Sequence, residues 1–164
     1  MTLLLPFVPL TAPAFAPYGH VLDAQAGASR AINSGTSWRV DELGHLDLTA
    51  DGGRPVLALF RAQRQDPAGP WLGMERHRLG TQSFVPLMGA RCLVLVALGP
   101  EAPDMRTVAA FEVGGHQGFT LNAGVWHHPL IALDDGDFIV VERVGAEVDC
   151  DWAQLETPLH LVRA

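Results

Sequence analysis

The chain has 164 residues, 48% of them hydrophobic and 18% charged, which suits one ordered domain and argues against disorder. Eighteen acidic residues against eleven basic ones give a net charge of −7 at pH 7, which excludes the basic footprint of a nucleic-acid-binding protein. All the basic residues are arginine, so a lysine Schiff base and a P-loop lysine are excluded too. We expect a single domain over residues 1–164.

The first predicted element is a short helical turn near the amino terminus. Thr11 is a suitable N-cap residue, and the turn that follows it carries Phe15. Residues 1–16 are largely apolar, but prolines interrupt them and the first basic residue is Arg30, so we expect part of the fold rather than a signal peptide. No run of 18 or more apolar residues occurs, so no membrane span is expected.

Short strands separated by glycine and proline turn signals are predicted along the rest of the chain. They cover residues 38–48, 56–61, 71–79, 82–88, 92–98, 108–113, 118–121 and 137–144. Strands at roughly ten-residue spacing are typical of a β-sandwich or a β-barrel. Residues 92–98 are apolar on both faces, which predicts a central strand. Only residues 102–110 and 151–156 have a helical pattern.

Polar side chains interrupt the strand predicted over residues 71–79. Glu75 and His77 share one of its faces, because alternate residues of a strand point the same way. Polar groups buried without partners cost about 1–3 kcal/mol each, so an inward polar face needs a reason. Gln82 begins the next predicted strand after a short turn, and a hairpin would therefore bring all three side chains to one point.

Two adjacent histidines follow a glycine turn later in the chain, in the string Asn122-Ala-Gly-Val-Trp-His127-His128-Pro. Adjacent strand residues point to opposite faces, so only one of His127 and His128 should enter a site directly.

Several arginines could bind an anionic substrate. Arg61 ends the strand predicted over residues 56–61, where it could bind a carboxylate in a bidentate pair. Asn33 and Arg39 belong either to a substrate loop or to an ordinary turn. Arg76 and Arg78 flank His77 on the other strand face, which we expect to be solvated or at an interface.

Two cysteines are too few for a disulfide framework. Cys92 lies in an apolar run and is expected to be buried. The neighbouring acids Asp149 and Asp151 should raise the pKa of the Cys150 thiol. A cysteine nucleophile is therefore not expected.

Together the two polar clusters resemble the two sequence motifs of the cupin superfamily. Glu75-x-His77-x4-Gln82 has the spacing of the first motif, H-x-H-x4-E, and Asn122-x-Gly124-x2-His127 has that of the second, P-x-G-x2-H. The resemblance implies a metal-ligand set of Glu75, His77, Gln82 and His127, with a glutamate in place of a histidine and a glutamine in place of a glutamate. It selects His127 for the site and leaves His128 a supporting role or a place at a dimer interface.

A longer resemblance covers nearly the whole chain. The strings that carry it include Glu75-Arg-His-Arg-Leu-Gly-Thr-Gln-Ser-Phe-Val-Pro86, Gly124-Val-Trp-His-His-Pro-Leu130 and Asp149-Cys-Asp151, and they are similar to the ureidoglycolate lyase family of allantoin degradation. The resemblance implies an all-β, cupin-like antiparallel β-barrel, of the jelly-roll or double-stranded β-helix kind, with a few short helices. It also implies a cytoplasmic homodimer and a divalent metal, with nickel as the ion linked to the family.

Those enzymes split ureidoglycolate, which carries a hydroxyl and a urea nitrogen on one carbon, into glyoxylate and urea. The reaction needs a base, an acid and a cation for the carboxylate, and we expect Glu75, His77 and His127 to be catalytic, with Glu75 or His77 as the base. The candidate substrate-binding residues are Arg61, Gln82, Asn33, Arg39 and His128, and an arginine from a partner subunit is the alternative to Arg61 for the carboxylate. Two alternatives stay open: an amidohydrolase that releases ammonia, and a non-catalytic cupin that binds a small carboxylate. No nucleic-acid or membrane partner is expected.

Overall fold

The computed structural model describes residues 3–23, 25 and 27–164, and these residues are almost entirely β-structure. The strands are β1 Leu3–Pro9, β2 Gly19–Leu22, β3 Ser29–Ile32, β4 Ser37–Val40, β5 Arg54–Ala62, β6 Trp71–Arg76, β7 Gln82–Pro86, β8 Cys92–Ala97, β9 Ala109–Val113, β10 Gly118–Leu121, β11 Trp126–His127, β12 Ile131–Ala132, β13 Gly136–Val144 and β14 Asp151–Arg163. The helix α1 spans Ala12–Phe15, and 3-10 turns span Asn33–Gly35 and Ala50–Gly52. In this part of the chain, no helix has the length and apolar character needed to cross a membrane.

Six strands close into a barrel. The short strand β11 pairs with β6 on one side and with β8 on the other, and the ring continues from β6 through β14, β1 and β9 back to β8. The expected all-β barrel is therefore confirmed. One strand departs from the antiparallel pattern, because β1 runs parallel to both of its neighbours, β14 and β9.

A five-stranded antiparallel sheet, in the order β2-β10-β7-β13-β5, packs against the barrel wall. Strand β8 separates the two layers of the core and is buried along its whole length. Cys92, Val94 and Val96 pack into the cluster shared with the five-stranded sheet, whereas Leu93 and Leu95 pack inside the barrel. The prediction of a central strand with two apolar faces is thus confirmed.

Aromatic side chains fill the space between the barrel and the five-stranded sheet. Phe84 and Phe119 stack with ring centroids 5.0 Å apart, and Phe15 meets the edge of Phe111 at 5.5 Å. The helical turn predicted around Phe15 is present, and it places that ring, which is fully buried, in this core. Thr11 stands at the N-cap position, but its side chain makes no capping hydrogen bond.

Three predictions about secondary structure are wrong. Residues 102–110 form turns and then enter β9, because Asp104 accepts the backbone N–H of Arg106 and closes a local turn. Residues 151–156 belong to β14, where pairing with β6 overrides their helical pattern. The strand predicted over 38–48 ends at residue 40, and Glu42, with φ of +58°, turns the chain away.

Candidate functional site

The predicted catalytic residues meet where the barrel wall faces the five-stranded sheet. Glu75 on β6 and His127 on β11 are direct cross-strand partners. Their neighbours Met74 and Trp126 point into the barrel interior, so Glu75 and His127 point outward. His77 follows β6 by one residue, and the possible ligand atoms of Glu75, His77 and His127 all lie within 4.8 Å of one another.

Gln82 reaches the site from the other layer. The expected hairpin is wrong, because β6 belongs to the barrel and β7 to the five-stranded sheet. The turn between these strands carries the chain from the barrel to the five-stranded sheet. Gln82 then lines one cavity together with His77. Its Nε2 donates a hydrogen bond to Glu142 Oε2 at 2.9 Å, which leaves the buried Oε1 without a partner among the described residues.

Both site imidazoles are fixed in one tautomer by backbone carbonyls. His77 Nδ1 donates to Asp149 O at 2.6 Å, and His127 Nδ1 donates to Val125 O at 3.0 Å. A carbonyl oxygen can only accept, so each Nε2 has a free lone pair. In the described residues neither Nε2 has a hydrogen-bond partner, although both atoms are buried. The carboxylate oxygen Glu75 Oε1 lies 3.5 Å from His127 Nε2. This distance is too long for a strong hydrogen bond.

The unpaired atoms fit a divalent metal ion. They comprise two imidazole nitrogens, which belong to the same close cluster as the Glu75 carboxylate, and the amide oxygen of Gln82, which lines the cavity with His77. Imidazole and carboxylate groups are ordinary ligands of transition metals, and a metal-bound histidine commonly donates its other ring N–H to a backbone carbonyl. The four residues that the cupin resemblance implies as ligands therefore offer a donor set that a metal could use.

Neighbouring groups set the charge of the site. The contact with His127 lowers the pKa of the Glu75 carboxyl, and the nearby His77 acts in the same direction, so Glu75 is ionised at neutral pH. Cys150 Sγ lies 3.7 Å from Glu75 Oε2. Burial, followed by the charge of Glu75, raises the pKa of the Cys150 thiol, and burial raises that of Cys92 to about 12. Both thiols are protonated, as expected from the sequence.

A segment that the sequence analysis did not single out for function supports the site, and we name residues 149–151 the clamp. Asp149 accepts backbone N–H bonds from Arg78 at 2.9 Å and from Leu79 at 2.8 Å. Its own carbonyl accepts the bond from His77. The Asp149-Cys-Asp151 string, noted only as part of the family resemblance, was the one sequence signal for this role.

Arg76 is buried rather than solvated, so the expectation is wrong for Arg76, whereas Arg78 is exposed as expected. Only 3% of Arg76 is exposed. Its guanidinium lies 4.3 Å from the ring centroid of Trp126 and donates to Asp151 Oδ2 at 2.7 Å and to Pro100 O at 2.6 Å. Cation–π stacking and a paired carboxylate explain how the charge is accommodated there. Arg76 thereby ties the clamp to the barrel.

Arg61 is not brought to the cluster within this chain. It forms a bidentate pair with Asp137, with contacts of 2.9 and 3.1 Å. Strands β5 and β13 pair along their length, and Arg143, which lines the cavity beside His77, stands six residues further along β13 than Asp137. At about 3.4 Å per residue, this separation is roughly 20 Å.

None of the remaining predicted substrate-binding residues, Asn33, Arg39 and His128, belongs to the described lining of the cavity beside His77. Asn33 and Arg39 lie on the β3–β4 hairpin, whose strands pair only with each other in the described sheets. Asn33 Nδ2 donates to Ser37 Oγ at 3.4 Å. His128 packs against Trp71, with ring centroids 4.7 Å apart, and burial lowers its pKa.

A cavity of about 280 Å³ opens beside the cluster. His77, Gln82 and the turn between them line it, together with the end of β13 and the following loop, residues 142–150. Glu142 and Arg143 therefore belong to the surroundings of the site, although no sequence pattern marked either of them. The volume suits a small ligand, since pockets for drug-sized molecules begin at about 300 Å³.

Comparison with known proteins gives a consistent result. A family model described as ureidoglycolate lyase matches residues 2–162. A ureidoglycolate lyase of Burkholderia cepacia is 43% identical over 151 residues, which are 90% of this chain and 84% of that one. A ureidoglycolate lyase of Pseudomonas syringae pv. tomato is 36% identical over 94% of this chain and 91% of that one. The solved structure of RmlC from Streptococcus suis is a weak likeness, with a TM-score of 0.44 and 12% identity over 87% of this chain and 74% of that one.

Proposed function

This chain belongs to the ureidoglycolate lyase family, and from that premise we propose that it splits ureidoglycolate into glyoxylate and urea by carbon–nitrogen elimination. The observation that carries the proposal is the meeting of Glu75, His77 and His127 beside a small cavity, in a chain that the family matches over nearly its whole length. We propose these three as the catalytic residues, within a single domain.

The reaction moves one proton from the substrate hydroxyl to the departing nitrogen. As the hydroxyl loses its proton, the carbonyl of glyoxylate forms and the carbon–nitrogen bond breaks. Urea then leaves with the transferred proton. We propose that a carboxylate oxygen of Glu75 accepts this proton and returns it to nitrogen. The lowered pKa of Glu75 supports this role, because the group is ionised and ready to accept.

The imidazoles and Gln82 offer acceptor atoms for a divalent metal in this proposal. Each Nε2 carries a free lone pair, and Gln82 Oε1 adds a third unpaired acceptor, so His77, Gln82, His127 and Glu75 are the residues that would hold a divalent metal. When bound, such an ion is a Lewis acid that lowers the pKa of the substrate hydroxyl. We propose nickel as the ion from the family resemblance, and metal analysis of the purified protein tests that assignment.

Substituting Glu75 tests its role as the base. Glu75→Gln keeps the size of the side chain and removes its basic oxygen, so we expect kcat to fall at least 10²-fold, which is the scale of general-base catalysis. Glu156→Gln is the matched control, because Glu156 is exposed on β14. A loss of only two- or three-fold in Glu75→Gln, with the control unchanged, would show that Glu75 is not the base.

We also propose a cytoplasmic homodimer, as the resemblance implies. The outer face of the five-stranded sheet supports an interface, since Leu57 is 71% and Leu59 49% exposed there. The alternate residue Ala58 packs against the core, and Phe60 contacts Phe84 but is still 37% exposed, so most of the apolar exposure belongs to the outer face. Sedimentation should give about twice the chain mass of 17.6 kDa, and Leu57→Glu should shift the protein towards monomer. A monomeric wild type would contradict this.

A further inference from the structure

The cavity beside the cluster needs a cation that the catalytic residues do not provide. The proposed substrate and one of its products are both carboxylates. Three of the described residues that line the cavity are acids, Glu142, Glu147 and Asp149, and they would repel such a ligand. Arg143 supplies the one fixed positive charge on this lining, as far as the structure describes it.

Arg143 is held in place by backbone groups and not by an acid. Its Nε donates to Ala50 O at 2.7 Å, and its Nη2 donates to Asp51 O at 3.1 Å. Eight other arginines contact carboxylates within 4.0 Å, whereas no described acid pairs with Arg143. Its charge is therefore available to a ligand. The guanidinium has five N–H donors, and two carbonyl bonds leave enough for a bidentate carboxylate.

Glycines make room for this side chain. A Cβ atom added at Gly53 would lie 2.2 Å from Arg143 Nε, and one added at Gly145 would lie 2.7 Å from Nη2. One added at Gly80 would lie 2.6 Å from Arg143 Cβ. A side chain at Gly53 or Gly145 would thus displace the guanidinium. The position of the guanidinium therefore depends on glycine at both places.

We infer that Arg143 binds the carboxylate of the substrate, the role that the sequence had suggested for Arg61. Arg61 is already paired with the carboxylate of Asp137. Both residues lie at the end of the β5–β13 pair that is far from Arg143. A small substrate with its carboxylate at Arg143 would lie in the cavity that His77 and Gln82 also line. The inference deepens the proposed function and rests on it for the identity of the substrate.

Two variants test the inference in different ways. Arg143→Gln removes the charge, and Gly145→Ala keeps the charge but displaces the guanidinium. We expect kcat/KM for ureidoglycolate to fall about 10- to 100-fold in Arg143→Gln, carried mainly by KM, and to fall less in Gly145→Ala. Arg106→Gln is the matched control, because Arg106 is an 89% exposed arginine paired with Asp104. Thermal melting of each variant verifies that it is folded.

A binding measurement separates this inference from the proposed function. Glyoxylate and its uncharged amide are titrated into wild type and variants, and we expect the preference for glyoxylate to disappear in Arg143→Gln. If wild type turns over ureidoglycolate and folded Arg143→Gln matches it in kcat/KM and in glyoxylate preference, the inference is overturned alone. If kcat/KM and glyoxylate preference fall in Arg61→Gln and not in Arg143→Gln, Arg61 binds the substrate carboxylate and the inference is overturned. If wild type neither turns over ureidoglycolate nor prefers glyoxylate, the proposed function and the inference are both overturned.

Discussion

Asp149→Asn should impair catalysis although Asp149 is not one of the three proposed catalytic residues. The carboxylate of Asp149 accepts one backbone N–H bond at each oxygen, from Arg78 and from Leu79. Asparagine has nearly the same shape but only one acceptor oxygen, so its NH₂ group must face one of those N–H donors. The loop that follows His77 would then lose one of its two backbone hydrogen bonds to Asp149.

The size of the effect follows from that lost bond. A hydrogen bond to a charged group contributes about 1.5–3 kcal/mol, and 1.4 kcal/mol is a factor of ten in rate. If the loosened loop misplaces His77, kcat should therefore fall about 10- to 100-fold. The backbone carbonyl that holds His77 Nδ1 is unchanged by the substitution, so the imidazole keeps its tautomer.

Steady-state kinetics measures the loss of kcat, and thermal melting measures any loss of stability. Asp66→Asn is the matched control, because Asp66 also accepts a backbone N–H bond, from Ala68 at 2.9 Å, but lies in a different loop. A positioning role predicts loss of kcat in Asp149→Asn and none in Asp66→Asn. Asp149→Glu keeps the charge but has a longer side chain, so its kcat should lie between those of Asp149→Asn and the wild type. If both variants melt lower and both keep full kcat, the clamp serves stability only and the reasoning is refuted.

Two further predictions concern stability. Phe138 is fully buried between the barrel and the five-stranded sheet, so Phe138→Ala should lower the free energy of unfolding by about 3–5 kcal/mol in denaturant titrations, and a change under 1 kcal/mol would contradict the packing described. Arg78 and then Arg76 lower the pKa of the Asp151 carboxyl, so its stabilising effect is complete above the unfolded pKa of about 3.9 and is lost as pH falls through the lower folded value. Asp151→Asn should therefore flatten the dependence of melting temperature on pH below about pH 4, and an unchanged slope would refute this.

The strands with strong apolar patterns could be predicted from the sequence, whereas those fixed by partners could not. Residues 92–98 and 118–121 correspond closely to β8 and β10, because their side chains are buried on both faces. Strand β14 was missed at its start, since residues 151–156 have a helical pattern and adopt a strand only by pairing with β6. Strand β1 contains prolines and gains its place from parallel pairing with β14 and β9.

The candidate site divides in a similar way. Motif spacing brought Glu75, His77 and His127 together correctly, because their positions follow from two local strings. Asp149 and Arg143 escaped prediction, since each is positioned by contacts with residues 71 and 93 positions away in the chain, respectively. Arg61 was favoured by its place at a strand end, but the sequence did not reveal that Asp137 stands opposite it in register.

The most direct test of the central claim is a product balance on racemic ureidoglycolate. Purified protein is incubated with the substrate, and glyoxylate, urea and ammonia are counted over time against a control without enzyme. A lyase with one stereochemical preference predicts equal glyoxylate and urea, with consumption stopping near one half of the racemate. Two ammonia per glyoxylate would instead identify an amidohydrolase. No acceleration over the control, with nickel or manganese added, would contradict catalysis and leave a protein that binds a small carboxylate.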